Sequence, residues 1–353
     1  MRVWLLHLGR PFQVAGRACL AAAFLGMASL PAAEPAPAAD ASTVEVPAPA
    51  YVTLQLARDP AVHAELGLDA GQVTAALAAV AEVDHSLWVL RDVPVPKCSD
   101  QLEDFRSKLR KRLEAVLSPE QSQRFDQLLM QARGSKALVA PDVRERLSLT
   151  DGQLEQLKAI VSEAKQGTLD SQNVVAVLSA EQRAVLASMF GKRFDLGRVT
   201  HVGCVAPQLR GVDAWINSEP LALSQLQGKV VVVHFWAFNC GNCVNNLPHY
   251  QAWFDKFSTS DVTIIGIHTP ETATERDVDN LRANVKQHAI AYPVAVDGAA
   301  ENWKAWGNHM WPSVYLIDRH GKVRAWWYGE LNWQAARGEE SMRKRIEELL
   351  LEK

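Results

Sequence analysis

Cys240-Gly241-Asn242-Cys243 is the one place in the chain where two thiols stand three positions apart. It follows Val230 to Trp236, a run of β-branched and aromatic residues without a breaker, which reads as a buried strand. It precedes a stretch of helical spacing that continues past Pro248. At such a junction the first sulfur stands at a helix N-terminus, where exposed N–H groups and the helix dipole favour a thiolate. Two intervening residues bring the second sulfur within reach from the first turn, the arrangement for reversible dithiol–disulfide exchange. The pair would serve as half of a zinc site only with a second Cys or His pair, and the sequence supplies none. His201-Val202-Gly203-Cys204 has only two ligand types, so no metal is expected. A purely structural disulfide is the remaining alternative.

Five cysteines in 353 residues are too few for a disulfide scaffold, so each needs its own reading. Cys19 lies in an apolar run, Ala18 to Leu30, preceded by Arg2, Arg10 and Arg17 and followed by small residues and prolines. That order is the order of a secretory signal peptide, expected over 1–33. The run is thirteen residues long, short for a helix crossing a hydrocarbon core of about 30 Å. Export, to the periplasm or elsewhere outside the cytoplasm, exposes the remaining thiols to oxidation. Cys98 lies in a polar break and Cys204 opens the aromatic-rich half, so the two are candidates for a disulfide stapling the halves. The alternatives are two free thiols, or Cys204 as a shuttle partner of the active pair. A net charge of -3 gives no reason to expect nucleic acid as a partner.

The elements that must position the pair lie in two compositionally different halves. Nine of the eleven tryptophans follow residue 204, so the aromatic core belongs to the second half. Residues 34–50, with four prolines and six alanines, read as a linker. Residues 51–198 read as an α-helical domain: Leu154, Leu157, Ile160 and Val161 recur on one helix face. Four segments there share one plan, a leucine, a capping residue and a glutamine three positions on: Asp69/Gln72, Ser118/Gln121, Thr150/Gln153 and Ser179/Gln182. Each is a capping box that starts a helix. The second half, 205–353, alternates Val/Ile runs with amphipathic stretches, an α/β pattern. Strands are expected near 230–236, 262–268, 292–295, 313–318 and 322–328. Helices are expected near 241–257, 273–288, 299–306 and 338–352.

With these residues in place, roughly 205–353 resembles the thioredoxin superfamily, and within it the exported TlpA/ResA-like and DipZ-like thiol oxidoreductases. The likeness rests on Ala206-Pro207, Trp215 to Ser218, Leu226 to Val230, Phe235-Trp236-Ala237, His268-Thr269-Pro270-Glu271 and Trp311 to Asp318 as well as on the cysteines. It implies an α/β thioredoxin-like fold behind an all-α domain, and no cofactor beyond the Cys240–Cys243 disulfide. It implies Cys240 as nucleophile and Cys243 as resolving thiol, with Pro312 as a cis-proline facing them and Trp311 and Trp236 along the substrate surface. Its implied partners are envelope proteins with disulfides or thiols and a membrane-embedded thiol electron donor; the usual direction is reductive.

Three positions depart from the family pattern. His234 stands where thioredoxins carry a buried Asp; it is either a proton acceptor for the resolving thiol, with a pKa nearer 7, or a neutral core residue. Asn246 replaces a Glu common in the TlpA/ResA subgroup, so that acid–base assignment does not transfer. Gly241-Asn242 replaces Gly-Pro. Glu271 is a further candidate acid, reaching the cysteines from a neighbouring loop. A thiol peroxidase shares the fold, but Ala237 stands where its hydroxyl residue would be. The boxes in the first half also resemble the LTxxQ repeats of Spy/CpxP-like envelope chaperones, with Leu149, Thr150 and Gln153 matching outright. That leaves a binding or chaperone module with a regulatory redox pair as the other reading.

Overall fold

The computed structural model describes residues 49–163, 171–199, 203–257 and 261–352. The expected signal peptide lies outside them, as does nearly all of the expected linker. Helix α1 begins at Pro49, inside the linker's expected C-terminal end.

Nine helices among the described residues make up the first half: α1 (Pro49–Arg58), α2 (Pro60–Leu66), α3 (Ala70–Val89), α4 (Val95–Glu114), α5 (Pro119–Ala132), α6 (Pro141–Leu147), α7 (Asp151–Glu163), α8 (Ser171–Val177) and α9 (Ala180–Phe190). Helices α1–α5 close around Leu56, Val62, Leu109 and Leu128; α6–α9 close around Val143, Leu147 and Leu157. All four capping boxes form. Their glutamines then pair across helices. Gln72 Nε2 donates to Gln121 Oε1 at 2.8 Å and Gln121 Nε2 returns the bond at 3.2 Å. Gln153 and Gln182 repeat the exchange at 2.8 and 3.1 Å. Each carboxamide oxygen accepts from its own cap and from its partner, so the boxes join the starts of two helices as well as beginning each one.

The second half is a six-stranded sheet of order β1-β4-β3-β2-β5-β6. Its strands are β1 (Ala214–Ile216), β2 (Val230–Trp236), β3 (Val262–His268), β4 (Val294–Val296), β5 (Ser313–Ile317) and β6 (Val323–Tyr328). β2, β3 and β4 run parallel; β5 is antiparallel to β2, as β6 is to β5 and β1 to β4. All seven residues of central β2 are buried, which is why that stretch is continuously apolar apart from His234. One face of the sheet, with Val230, Val232 and Trp236, packs on α10 (Gly241–Phe257), α11 (Val278–Gln287) and α13 (Gly338–Leu351). The expected helix over 273–288 is split: Ala273–Arg276 is a 3-10 turn, and Asp277 caps α11 anew.

The opposite face, with Val231, Val233 and Phe235, is covered by Trp306 after the short α12 (Glu301–Ala305), by Leu223 and Leu226, and by Trp88 of α3. The halves therefore share a core. Asp84 of α3 accepts from Val205 N at 3.1 Å and pairs with Arg58 at 2.7 Å; Arg58 in turn donates to Gly203 O. Cys98 and Cys204 are both buried free thiols, so the expected disulfide between them is not formed. Cys98 belongs to the α1–α5 core and Cys204 to the Trp88 face of the sheet, two different packing clusters.

Candidate redox site

β2 ends at Trp236, and Ala237, Phe238 and Asn239 carry the chain to Cys240, the residue just before α10. The amides of Cys243 and Val244 both donate to Cys240 O at 3.0 Å, placing Cys240 at the cap of the helix. Cys240 and Cys243 are joined as a disulfide with Cα atoms 5.2 Å apart. Cys240 is partly exposed while Cys243 is fully buried, so an attacking partner has access to one sulfur of the two. The register Phe235↔Ser313 sets Pro312 opposite the C-terminal end of β2, beside the cysteine loop, and the Trp311–Pro312 peptide is cis. Pro312 O accepts from Gly329 N at 2.7 Å. Trp311 is half-buried, stacks on Trp303 at 3.9 Å, and donates Nε1 to Thr269 O at 3.2 Å.

The remaining candidates fall differently from expectation. Trp236 is fully buried beneath α10, so it supports the site from inside and presents no surface to a substrate. His234 is fully buried, stacked on Tyr250 at 4.1 Å, with neither ring nitrogen hydrogen-bonded. Desolvation pushes it down to about 3, well away from the value near 7 that a proton acceptor would need. His268, at the end of β3 and stacked on Phe238, is likewise pushed down to about 4 by burial, with Glu275 pulling the other way. Glu271 is exposed; its contribution is a backbone N–H. Cys204 is buried on the sheet face opposite Cys243, and burial first, then neighbouring Asp84, pushes its thiol far up, which disfavours the thiolate a shuttle would need.

The acid that the loop supplies is Glu275, 2% exposed. Its Oε1 accepts from Asn239 N at 2.8 Å, one residue before Cys240. Its Oε2 accepts from Glu271 N and Thr272 N, both at 2.8 Å. Burial opposes ionisation, but these donors hold the carboxyl below its ordinary range. Thr272-Ala273-Thr274-Glu275 has the spacing of a capping box, the sequence signal that points to it. Asn246, fully buried, donates to Tyr250 Oη and Gly329 O at 3.2 Å and accepts from Leu331 N at 2.9 Å. A neutral amide thus ties α10 to the turn after β6, where the subgroup places an acid.

A CxxC at the start of a helix, a facing cis-proline and this strand order define a thioredoxin-like domain in the C-terminal half. Residues 202–326 match the AhpC/TSA family. The chain is 39% identical over 128 residues to Protein DipZ of Mycobacterium tuberculosis, covering 35% of this chain and 18% of DipZ. It is 29% identical over 149 residues to thiol-disulfide oxidoreductase ResA of Bacillus cereus, covering 42% of this chain and 82% of ResA. A solved thiol-disulfide isomerase from Corynebacterium glutamicum is 27% identical, with a TM-score of 0.36 over 42% of this chain and 98% of that one. The match to DipZ is confined to a small part of that protein's length.

Proposed function

We propose that the protein is a thiol-disulfide oxidoreductase that exchanges disulfides with envelope proteins through Cys240 and Cys243. The unequal burial of the two sulfurs at the start of α10 carries this reading. In the reductive direction the Cys240 thiolate attacks a partner disulfide, forming a mixed disulfide and releasing one partner thiolate, which takes up a proton. Cys243 then loses its proton and attacks Cys240, giving the Cys240–Cys243 disulfide and the second partner thiol. Two electrons pass to the partner, and a membrane-embedded thiol donor restores the dithiol.

The name of ResA supports the chemistry, and the arginine-flanked apolar run at the N-terminus supports export. Among the described residues no helix is long and apolar enough to cross a membrane. The capping boxes favour a structural reading of the helical half over a chaperone module, because their glutamines are consumed in pairing helices. Replacing Cys240 with Ser is expected to abolish reduction of insulin disulfides by the full chain. Cys243→Ser is expected to accumulate the mixed disulfide, seen as a DTT-sensitive adduct on a non-reducing gel. Insulin reduction that persists in Cys240→Ser refutes the assignment. Acid-quenched thiol labelling in intact cells gives the direction: a mostly reduced pair marks a reductant.

A further inference from the structure

The C-terminal end of α3 meets the second half at the segment leading into the cis-proline. Trp88 Nε1 donates to Trp306 O at 3.1 Å. The Arg91 side chain, 6% exposed, lies 3.9 Å from the centre of the Trp88 ring. Its Nε donates to Tyr328 Oη at 2.9 Å, and Nη2 to Tyr315 Oη at 3.0 Å and to Gly307 O at 3.3 Å. The hydroxyls pass the contact on: Tyr315 donates to Asn308 Oδ1, and Tyr328 to Asp92 at 2.6 Å. Asp92 in turn lies 3.8 Å from His309 Nδ1. Gly307 has φ +63, and a Cβ there would stand 3.1 Å from Val89 Cγ1 and 3.3 Å from Val89 Cα. The segment 307–312 is thus shaped around the end of a helix from the other domain, while Trp311 anchors its far side to Thr269.

We infer that the helical domain is a second framework for the substrate-facing segment Gly307–Pro312, with Arg91 as the positioning residue. The inference rests on the disulfide exchange proposed above. A polypeptide disulfide must lay several residues along that segment, so it depends on the segment's order. A small disulfide needs only the Cys240 sulfur. The buried guanidinium fixes the segment through a carbonyl and two tyrosines, a planar set of bonds that a flexible ammonium does not reproduce.

The test uses the full chain as wild type, Arg91→Met and Tyr328→Phe, with insulin and a small aromatic disulfide as substrates. Arg91→Met is expected to raise KM for insulin about tenfold, with kcat/KM for the small disulfide within about twofold of wild type. The reduction potential of the pair should not move. Amide hydrogen exchange should quicken across 307–311 and stay slow in β2. Tyr328→Phe, which loses one oxygen and keeps the ring, should shift the same quantities in the same direction by less, and it carries the comparison if Arg91→Met does not fold. Equal losses on both substrates, a shifted potential, or unchanged exchange at 307–311 overturns the inference. A wild type that reduces neither substrate sinks the oxidoreductase reading instead, and the exchange measurement still decides whether Arg91 orders the segment.

Discussion

Two imidazoles and one carboxylate set how the redox half responds to pH. His234 and His268 have an ordinary pKa of 6.5 and sit at about 3 and about 4 in the fold. Below pH 6.5 the unfolded chain protonates these rings while the folded chain does not, so stability falls as pH drops toward 3. For His234 alone the loss by pH 4 is about 3 kcal/mol. Urea titrations at pH 7, 5.5 and 4 should show the decline, and His234→Leu, apolar in an apolar site, should make it shallower. A slope identical to wild type would mean that His234 does not titrate across this window. Glu275→Gln replaces an acceptor oxygen with an NH₂ group facing backbone donors, and should cost about 2 kcal/mol. It should also slow insulin reduction, because Asn239 loses its anchor beside Cys240. The cysteine pair was legible in sequence because its partners are contiguous and follow a recognisable strand. Glu275 was not: the sequence reading points to Glu271 alone, and only folding shows that its carboxylate stays outside while Glu275 turns inward under the loop.

At the level of elements, the helix starts were legible because a capping box is local, but what the boxes do beyond starting helices was not. The Gln72–Gln121 and Gln153–Gln182 pairs join residues 49 and 29 positions apart, a distance over which spacing carries no signal. Gln72→Ala and Gln121→Ala should each cost about 1 kcal/mol. The double variant should cost less than their sum by about 1 kcal/mol, since the second change finds the pair already broken. Strict additivity in urea unfolding would show that the two amides act independently. Strands β2 and β3 were readable from their Val/Ile runs, and β4 to β6 fall near the expected 292–295, 313–318 and 322–328. Edge strand β1 was not: three residues, Ala214–Ile216, make no run, and their pairing with β4 comes from tertiary contact. His234 interrupts β2 as an imidazole yet lies in a wholly buried strand, which favours the neutral core reading of the two that the sequence left open.

For the whole molecule, the division into a helical and a redox half followed from composition, yet the halves share a core. Trp88, 5% exposed and in the half with few aromatics, lies against Tyr315 and Trp326 with ring centroids 6.0 and 5.3 Å away. Trp88→Ala should cost about 3 kcal/mol. It should also divide one thermal unfolding transition into two by calorimetry; a single unshifted transition would mean the docking contributes little. The interface was hidden in sequence because Trp88 and Arg91 sit at the end of a helix whose apolar face already accounts for its neighbours. The position that betrays the docking lies on the other side, at Gly307. A Cβ there would meet Arg91 Nη1 at 2.8 Å and Val89 Cγ1 at 3.1 Å, and φ +63 strains a side chain in any case, so this glycine answers to its own turn as well as to the docked helix end. Among related redox domains, a larger residue at the aligned position would need both a different turn and a shifted helix end. A side chain in that column would then argue against a companion seated as α3 is, while glycine alone would not establish one.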